Sequence, residues 1–459
     1  MSIRKSGKQA RKNGVKVNGV SRRELLKGTG FAAATAALAA GTGAGLGLFG
    51  GQAPAYAQQR KVHVVAWSHF IPDADKMMQT FADEFQKAHS GVTVQLEFIN
   101  ANDLPARATA AVESKTGPDI FQFQWNQPWV YANGMIDHGK ICAKLGIDKY
   151  YPFLKEGAYV NKVWRGVPYY AIGNAYVYRK DWFEAAGCHN PTQMDLNYTY
   201  DDFLQDGSKL KPKNQPVGWT MGHTFGDAPA NCYPLLWAYG GSEVDHKGKV
   251  AINSKETRTA LKWFQEMWNA ACDPGGLSWD DTSNNRAFYA ETISCTQNGA
   301  SIYVQSKKGQ NRPDLKDKMA HFLNPKGPHG RYHIILGFTH SIAAYSPNKE
   351  AATEWIEYIQ APAQYERYIH IQGGYGLGGT PSWENDPMWK ADPVLAPFRL
   401  NAKFGRNFGW PGPYNRQASE VQAKYIIIDL FANVIQGTSI EDSVKRAEKE
   451  LKLVYEARA

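Results

Sequence analysis

Three short segments concentrate side chains suited to holding a small molecule: Ser68-His69-Phe70, Asn100-Ala101-Asn102 and Trp125-Asn126-Gln127. Rings, amides and one imidazole offer stacking faces and hydrogen bonds, which is the chemistry of binding. Signatures of covalent, metal or redox chemistry are missing from the sequence. It has no Cys-x-x-Cys, no His-Glu-x-x-His, no Gly-x-Ser-x-Gly, and no Gly-x-Gly-x-x-Gly opening a helix after a strand. The glycine cluster Gly373 to Gly379 lacks that strand-to-helix context, and Pro381 closes it as a loop.

Each segment follows a stretch with the pattern of a strand. Val62 to Trp67 is a continuous apolar run, suited to a strand covered on both faces. Val92, Val94, Leu96 and Phe98 alternate as in a half-buried strand, and Ile120 to Phe123 reads as a third. Between them, Met77, Phe81 and Phe85 recur at helical spacing behind a candidate cap at Asp73, and a second helix runs from Asp103 to Gly117-Pro118. This β-α-β-α-β order predicts an α/β unit with a largely parallel sheet. Ligands on such sheets bind beyond the carboxyl ends of the strands, where the three segments fall. Further on, Ala260, Leu261, Phe264, Met267, Trp268 and Ala271 form a helical core stripe. Thr438 and Glu441 have capping-box spacing ahead of the last helix, whose apolar face is Ile440, Val444, Ala447, Leu451 and Val454.

A chain of 459 residues exceeds one hydrophobic core, so two domains are expected. The net charge of +9 is not a nucleic-acid footprint. Nine of the 52 Lys and Arg, but one of the 43 Asp and Glu, lie in the first 57 residues, which leaves the remainder close to neutral. That first stretch has the order of an export signal. A basic region ends in Ser21-Arg22-Arg23-Glu24-Leu25-Leu26-Lys27, similar to the twin-arginine signal. A mildly apolar run to Gly51 follows, then Ala55-Tyr56-Ala57 as a cleavage site. The alternatives are a disordered basic tail or a membrane anchor over Phe31 to Phe49, the latter weakened by its glycines. The mature chain is expected to begin near Gln58, to be periplasmic and not to span the membrane. Its five cysteines are an odd number, read as buried thiols with at most one disulfide.

Four further segments carry a family resemblance. They are Gly117-Pro118-Asp119-Ile120 with Ala132-Asn133-Gly134-Met135-Ile136, then Gly166-Val167-Pro168-Tyr169-Tyr170-Ala171 with Val177 to Gly187, then Ile342 to Ala352, and finally Gly437 to Glu448. In that order and spacing they resemble the extracellular solute-binding proteins of bacterial ABC importers, the group that includes the maltose-binding protein. The resemblance implies an α/β, two-lobed periplasmic-binding-protein fold, each lobe a mixed or parallel sheet flanked by helices. The first lobe would comprise residues 60–170 and 342–390, the second 172–340 and 391–459. A hinge would lie near Ala171 to Asn174 and Gly337 to Ser341, where Gly173 and Gly337 tolerate backbone change.

The resemblance also implies a ligand site. Aromatic rings would stack on sugar faces and planar polar groups would meet the hydroxyls. The matching positions are Trp67, His69, Trp125, Asn126, Gln127, Tyr170 and Asn174 toward the first lobe and the hinge. Asp227, Trp237, Tyr239, Tyr303, Gly337, Phe338, Tyr375, Trp410 and Tyr414 complete the set. Core packing is the competing role for Trp67, Trp237, Tyr239 and Tyr303. His69 reads as a hydrogen-bonding residue, with no metal and no cofactor expected. The implied role is capture of a sugar or oligosaccharide by a monomer that delivers it to ABC permease subunits. A glycerol phosphodiester or another polar solute is the alternative, with Arg406 and Arg416 as candidate phosphate contacts. A sensing module or an exported enzyme are the other classes.

Overall fold

The apolar run after residue 60 becomes an interior strand, and two sheets organise everything downstream of it. Residues 60–456 are described by a computed structural model, so the export segment and its cleavage site lie outside the described residues. The strands are β1 (Arg60–Trp67), β2 (Val92–Ile99), β3 (Ile120–Gln124), β4 (Val167–Ile172), β5 (Ala175–Arg179), β6 (Val217–Gly218), β7 (Cys295–Asn298), β8 (Met319–Phe322), β9 (Leu336–Ile342) and β10 (Gly376–Leu377). The principal helices are α1 (Pro72–Ala88), α2 (Leu104–Ser114), α3 (Asp227–Ala238), α4 (Lys255–Ala271), α5 (Lys349–Ile359), α6 (Pro362–Ile371), α7 (Ile426–Ile435) and α8 (Ile440–Tyr455).

The larger sheet has the order β10-β4-β9-β3-β1-β2. Its β2-β1-β3 portion is parallel, as the alternating pattern predicts, and β9, β4 and β10 join antiparallel. The smaller sheet is β8-β5-β7-β6, with only β6 and β7 parallel. Both sheets are therefore mixed. A core containing Val62, Phe85, Ile120 and Trp355 underlies the larger sheet. Another, with Trp219, Phe264, Phe431 and Leu451, fills the space beneath the smaller one.

Two expected caps sit elsewhere. Asp73 lies inside the first turn of α1, which starts at Pro72, so it favours the helix through the dipole rather than as a cap. The last helix is capped by Ser439, whose hydroxyl accepts the Asp442 backbone N–H at 3.1 Å; Thr438 is one residue too early. All five cysteines are free thiols, so the optional disulfide is not formed. The resemblance segment around Arg179 has a structural task. The buried guanidinium pairs with Asp181 at 2.8 and 2.6 Å and with Glu291 at 2.6 Å, and it lies over the Trp182 ring. Among the described residues no helix is long and apolar enough to cross a membrane.

The chain passes from strand to strand between the sheets at two adjacent places, and it crosses a third time after β10 to reach α7 and α8, which pack beneath the smaller sheet. β4 leaves the larger sheet, and after Gly173-Asn174 the chain enters the smaller one as β5. The return runs through Ile334-Ile335 into β9, which pairs with the larger sheet from Leu336 onward. Residues 336–340, expected with the second lobe, thus hydrogen-bond to the sheet of the first.

Candidate functional site

Between the two sheets lies a cleft of about 510 Å³. The ends of β1, β2 and β3 form one wall, through Trp67 to Phe70, Phe98 with Asn100 and Asn102, and Gln124 with Trp125. The opposite wall comes from Thr224 to Asp227 at the start of α3, Asp280 to Thr282, and Asn298-Gly299 after β7. The two crossings and Tyr375 close the base. The strand-end rule therefore located the first wall from sequence.

The crossings are tied together by Asn174. Its amide N–H donates to the Ile334 carbonyl, and its carbonyl oxygen lies 3.0 Å from His333 Nδ1. Gly173 and Gly337 are needed for room rather than for an unusual backbone angle. A Cβ on Gly173 would collide with Asn401 Oδ1, and one on Gly337 would sit 2.8 Å from Leu154. Gly173→Ala is expected to destabilise the protein by about 1–3 kcal/mol through this overpacking. A urea unfolding midpoint equal to that of the parent protein would refute the close-approach reading.

His69 is held on both ring nitrogens. The Ile71 backbone N–H donates to Nδ1 at 2.9 Å, and Nε2 faces Gln372 Oε1 at 3.1 Å. Burial pushes its pKa down to about 3, so the ring is neutral. With both nitrogens engaged it is not disposed to bind a metal, and among the described residues no cluster of three metal-ligating side chains occurs. Trp67 stacks at 5.5 Å on Phe338, which itself stacks at 4.5 Å on Tyr170. Only the first ring of this stack reaches the cleft; Phe338 and Tyr170 are buried behind it.

Trp125 has a left-handed backbone at φ 47°, and its indole N–H donates to the Ile335 carbonyl at 3.2 Å. The ring packs on Phe225 at 4.5 Å and Phe408 at 4.7 Å, across from the sheet that carries its backbone. Gln124 is fully buried and lines the cleft, and neither atom of its side-chain amide has a protein partner. A buried amide without partners costs stability unless water or a ligand meets it; both amide atoms of Asn126, Gln297 and Asn401 are unpartnered too, but of these amides only Gln124 lines the cleft.

The second wall is acidic. Asp281 accepts the Asp227 N–H at 2.8 Å and the Gly226 N–H at 3.1 Å, capping α3 from outside the helix. Asp227 accepts the Asn284 amide at 2.8 Å. Burial and then the Asp281 charge raise the Asp227 pKa well above the usual carboxylate range. Partial burial works upward on Asp280 too, but hydrogen bonds from Ser283 and Thr282 hold it at about 2. Among the described residues the lining contains no Lys and no Arg.

Of the residues expected at the site, Trp67, His69, Trp125, Asn174, Asp227 and Tyr375 line the cleft. The others are placed elsewhere. Asn126 is fully buried beside the cleft wall, and Gln127 uses its side-chain carbonyl to accept the Gln124 backbone N–H at 3.0 Å. Trp237 is core, and Tyr239 packs on Tyr200 and Trp263. Tyr303 donates to Asp392 at 3.0 Å, while Gly337 backs onto Leu154. Trp410 and Tyr414 line a separate groove with Trp129, Glu156 and Trp164. Arg406 lies 5.5 Å over the Trp410 ring, and neither it nor Arg416 reaches the cleft. Gln124, Asp280, Asp281 and Asn298 were not singled out as ligand contacts from sequence. The only signals available were that Gln124 ends a strand and that Asn298 precedes a glycine.

Comparison with known proteins agrees with this geometry. The model of the bacterial extracellular solute-binding protein family matches residues 71–366. A probable ABC transporter-binding protein from Deinococcus radiodurans is 21% identical over 287 residues, covering 60% of this chain and 66% of that protein, slightly under two thirds of its length. Maltose-bound MalE3 of T. maritima superposes with a TM-score of 0.73 at 19% identity, over 86% of this chain and 99% of the other. A solute-binding protein from Agrobacterium radiobacter K84, in complex with ribitol, gives 0.71 at 20% identity over 86% of this chain and 99% of the other. With the family match extending over more than half of its length and two mixed sheets flanking a cleft, the chain belongs to the bacterial extracellular solute-binding proteins.

Proposed function

We propose that the protein captures a hydroxylated small molecule, a sugar or polyol, in the cleft and delivers it to the permease of an ABC importer. The observation that carries this reading is the lining itself. Aromatic rings stand beside the side-chain amides of Asn100, Asn102, Gln124, Asn174 and Asn298, with no Lys or Arg among them. Flat apolar faces and planar hydrogen-bonding groups match the two kinds of surface a polyol presents. Relatives of the same fold were solved with maltose and with ribitol, and this supports the class without naming the ligand.

An anionic ligand such as a glycerol phosphodiester fits less well. Phosphate is held by Arg, Lys or the free N–H groups of a helix N-terminus. The cleft has no such cation, and the Gly226 and Asp227 N–H groups already serve Asp281. The lobes are read as two bodies, one around each sheet, that close on the ligand about Gly173-Asn174 and Ile334-Ile335. In this reading residues 60–170 and 342–390 form the first lobe and 172–340 with 391–459 the second, and the pairing of β9 with the larger sheet supports moving the second crossing to just before Leu336. Export by the twin-arginine route, cleavage near Ala57, a periplasmic location and a monomeric state complete the proposal. A binding role rather than catalysis follows the family.

The test is a thermal-shift panel of sugars, polyols and sugar phosphates. A ligand at a hundredfold excess over its dissociation constant adds about 2.7 kcal/mol of stability. With a ligand found, Gln124→Leu isolates the site. Affinity is expected to fall about tenfold or more, while the unliganded protein melts at the same temperature or higher, because a costly buried amide is gone. Unchanged affinity in Gln124→Leu would remove that side chain from the site. A shift with phosphorylated compounds alone would overturn the neutral-polyol reading.

A further inference from the structure

Resting on the sugar or polyol reading of the cleft, we propose that the preferred ligand carries a protonated amine, as in an amino sugar or aminopolyol, seated against the Asp227–Asp281 wall. The two carboxyl groups are neighbours, since Asp281 accepts the Asp227 backbone N–H, and both line the cleft. Neither forms an ion pair with any Lys, Arg or His among the described residues. The nearest basic contact on this wall, Arg286, lies 3.7 Å from the exposed Asp280. Two neighbouring carboxyl groups with no cation beside them resist ionising together, so a positive centre entering the cleft favours the charged form of both.

A second, independent observation points to a ligand in the same space. Gln124 lines the facing wall fully buried, with both of its amide atoms unpartnered. It offers a donor and an acceptor for hydroxyls, so the occupant needs both hydroxyls and a positive centre. A metal ion does not satisfy the description, because no group of three metal-ligating side chains occurs among the described residues. Aromatic rings from Trp67, Phe98, Phe225 and Tyr375 also line the cleft, offering apolar surface to the carbon skeleton of such a ligand.

The test compares isosteric pairs by calorimetric titration of the purified protein: D-glucosamine against D-glucose, and 1-amino-1-deoxyglucitol against glucitol. The amine of a pair is expected to bind about tenfold tighter or better, equal to about 1.4 kcal/mol. Asp281→Asn and, separately, Asp227→Asn should erase most of that preference, weakening the amine of each pair about tenfold more than its neutral partner. Two variants are used because Asp281 also caps α3, and the melting temperature of each without ligand reports whether the fold survives. Equal or tighter binding of the hydroxyl members overturns the amine proposal and leaves the polyol reading standing. An amine preference that persists in both variants overturns the assignment to this wall. Failure of both members of both pairs at millimolar concentration counts against the amine proposal and the polyol reading together.

Discussion

Trp125→Ala is expected to destabilise the protein by about 3–5 kcal/mol and, in the same variant, to weaken ligand binding. The sequence places Trp125 on a loop after β3, where an aromatic ring would stack on ligand at little cost to the fold. The structure assigns it more. The ring is 5% exposed, packs on Phe225 and Phe408, and anchors its indole N–H to Ile335 beside the second crossing. It is a strut between the halves as well as a cleft wall, so truncation opens a cavity and loosens the crossing together. The backbone supplies a control. At φ 47° a residue with a Cβ is strained and glycine is not. Trp125→Gly should therefore be as stable as Trp125→Ala or more so, reversing the order found at ordinary positions. Urea unfolding of the three proteins decides the matter. If Trp125→Ala unfolds at the parent midpoint and loses only affinity, the ring is a ligand platform and not a strut.

The second large effect is on acid stability. His69, His138, His321, His333 and His340 are buried and neutral, with pKa values pushed by burial down to about 3 or 4. In the unfolded chain each titrates near 6.5. The folded protein therefore binds fewer protons below that pH. Stability contributed by the neutral rings is complete above about pH 6.5 and is lost as the pH falls toward 4, by about 1.4 kcal/mol per pH unit for each ring. Raised carboxyl groups oppose the loss. Burial, against hydrogen bonds from Tyr455 and Tyr233, lifts Glu243 to about 7, and burial lifts Asp75 to about 6. These acids, with Asp227, hold protons in the folded state that the unfolded chain releases, so they gain stability as the pH falls to about 4.5.

Between pH 6.5 and 5 the two groups partly cancel. Below about 4.5 unfolded carboxylates also protonate, and the histidines act unopposed. A shallow shoulder followed by a steep fall in melting temperature below about pH 4.5 is the expected profile. Glu243→Gln tests the opposing arm. It should gain on the order of 3 kcal/mol over the parent at pH 8 and little at pH 4.5. A melting profile flat from pH 7 to 4 would show that the buried histidines titrate normally.

Local pattern was legible without the structure. Apolar periodicity is a property of a few consecutive residues, so the β-α-β-α-β start, the core stripe of α4 and the apolar face of α8 could all be read directly. Caps were off by one or more residues because a cap depends on a single hydrogen bond, and Ser439 and Thr438 are chemically near-equivalent candidates. The resemblance segments located the family and the two-sheet plan. Parallel strands also dictate where loops gather, which is why Trp67, His69 and Trp125 were found at the first wall.

What the sequence determined by itself was the opening β-α-β-α-β run, two later helices, the family, and one wall of the cleft, because each depends on short-range spacing. Tertiary structure alone decided which aromatic rings face the cleft and which fill the interior. Trp67, Phe338 and Tyr170 form one stack, and only its depth in the fold separates a cleft surface from core. It alone brought Asp281 onto the N-terminus of α3, 54 residues away from Asp227, and turned two ordinary acids into a neighbouring pair. It also moved Trp410 and Tyr414 to a different groove. Burial and charge environment arise from contacts between distant segments, and no local pattern encodes them.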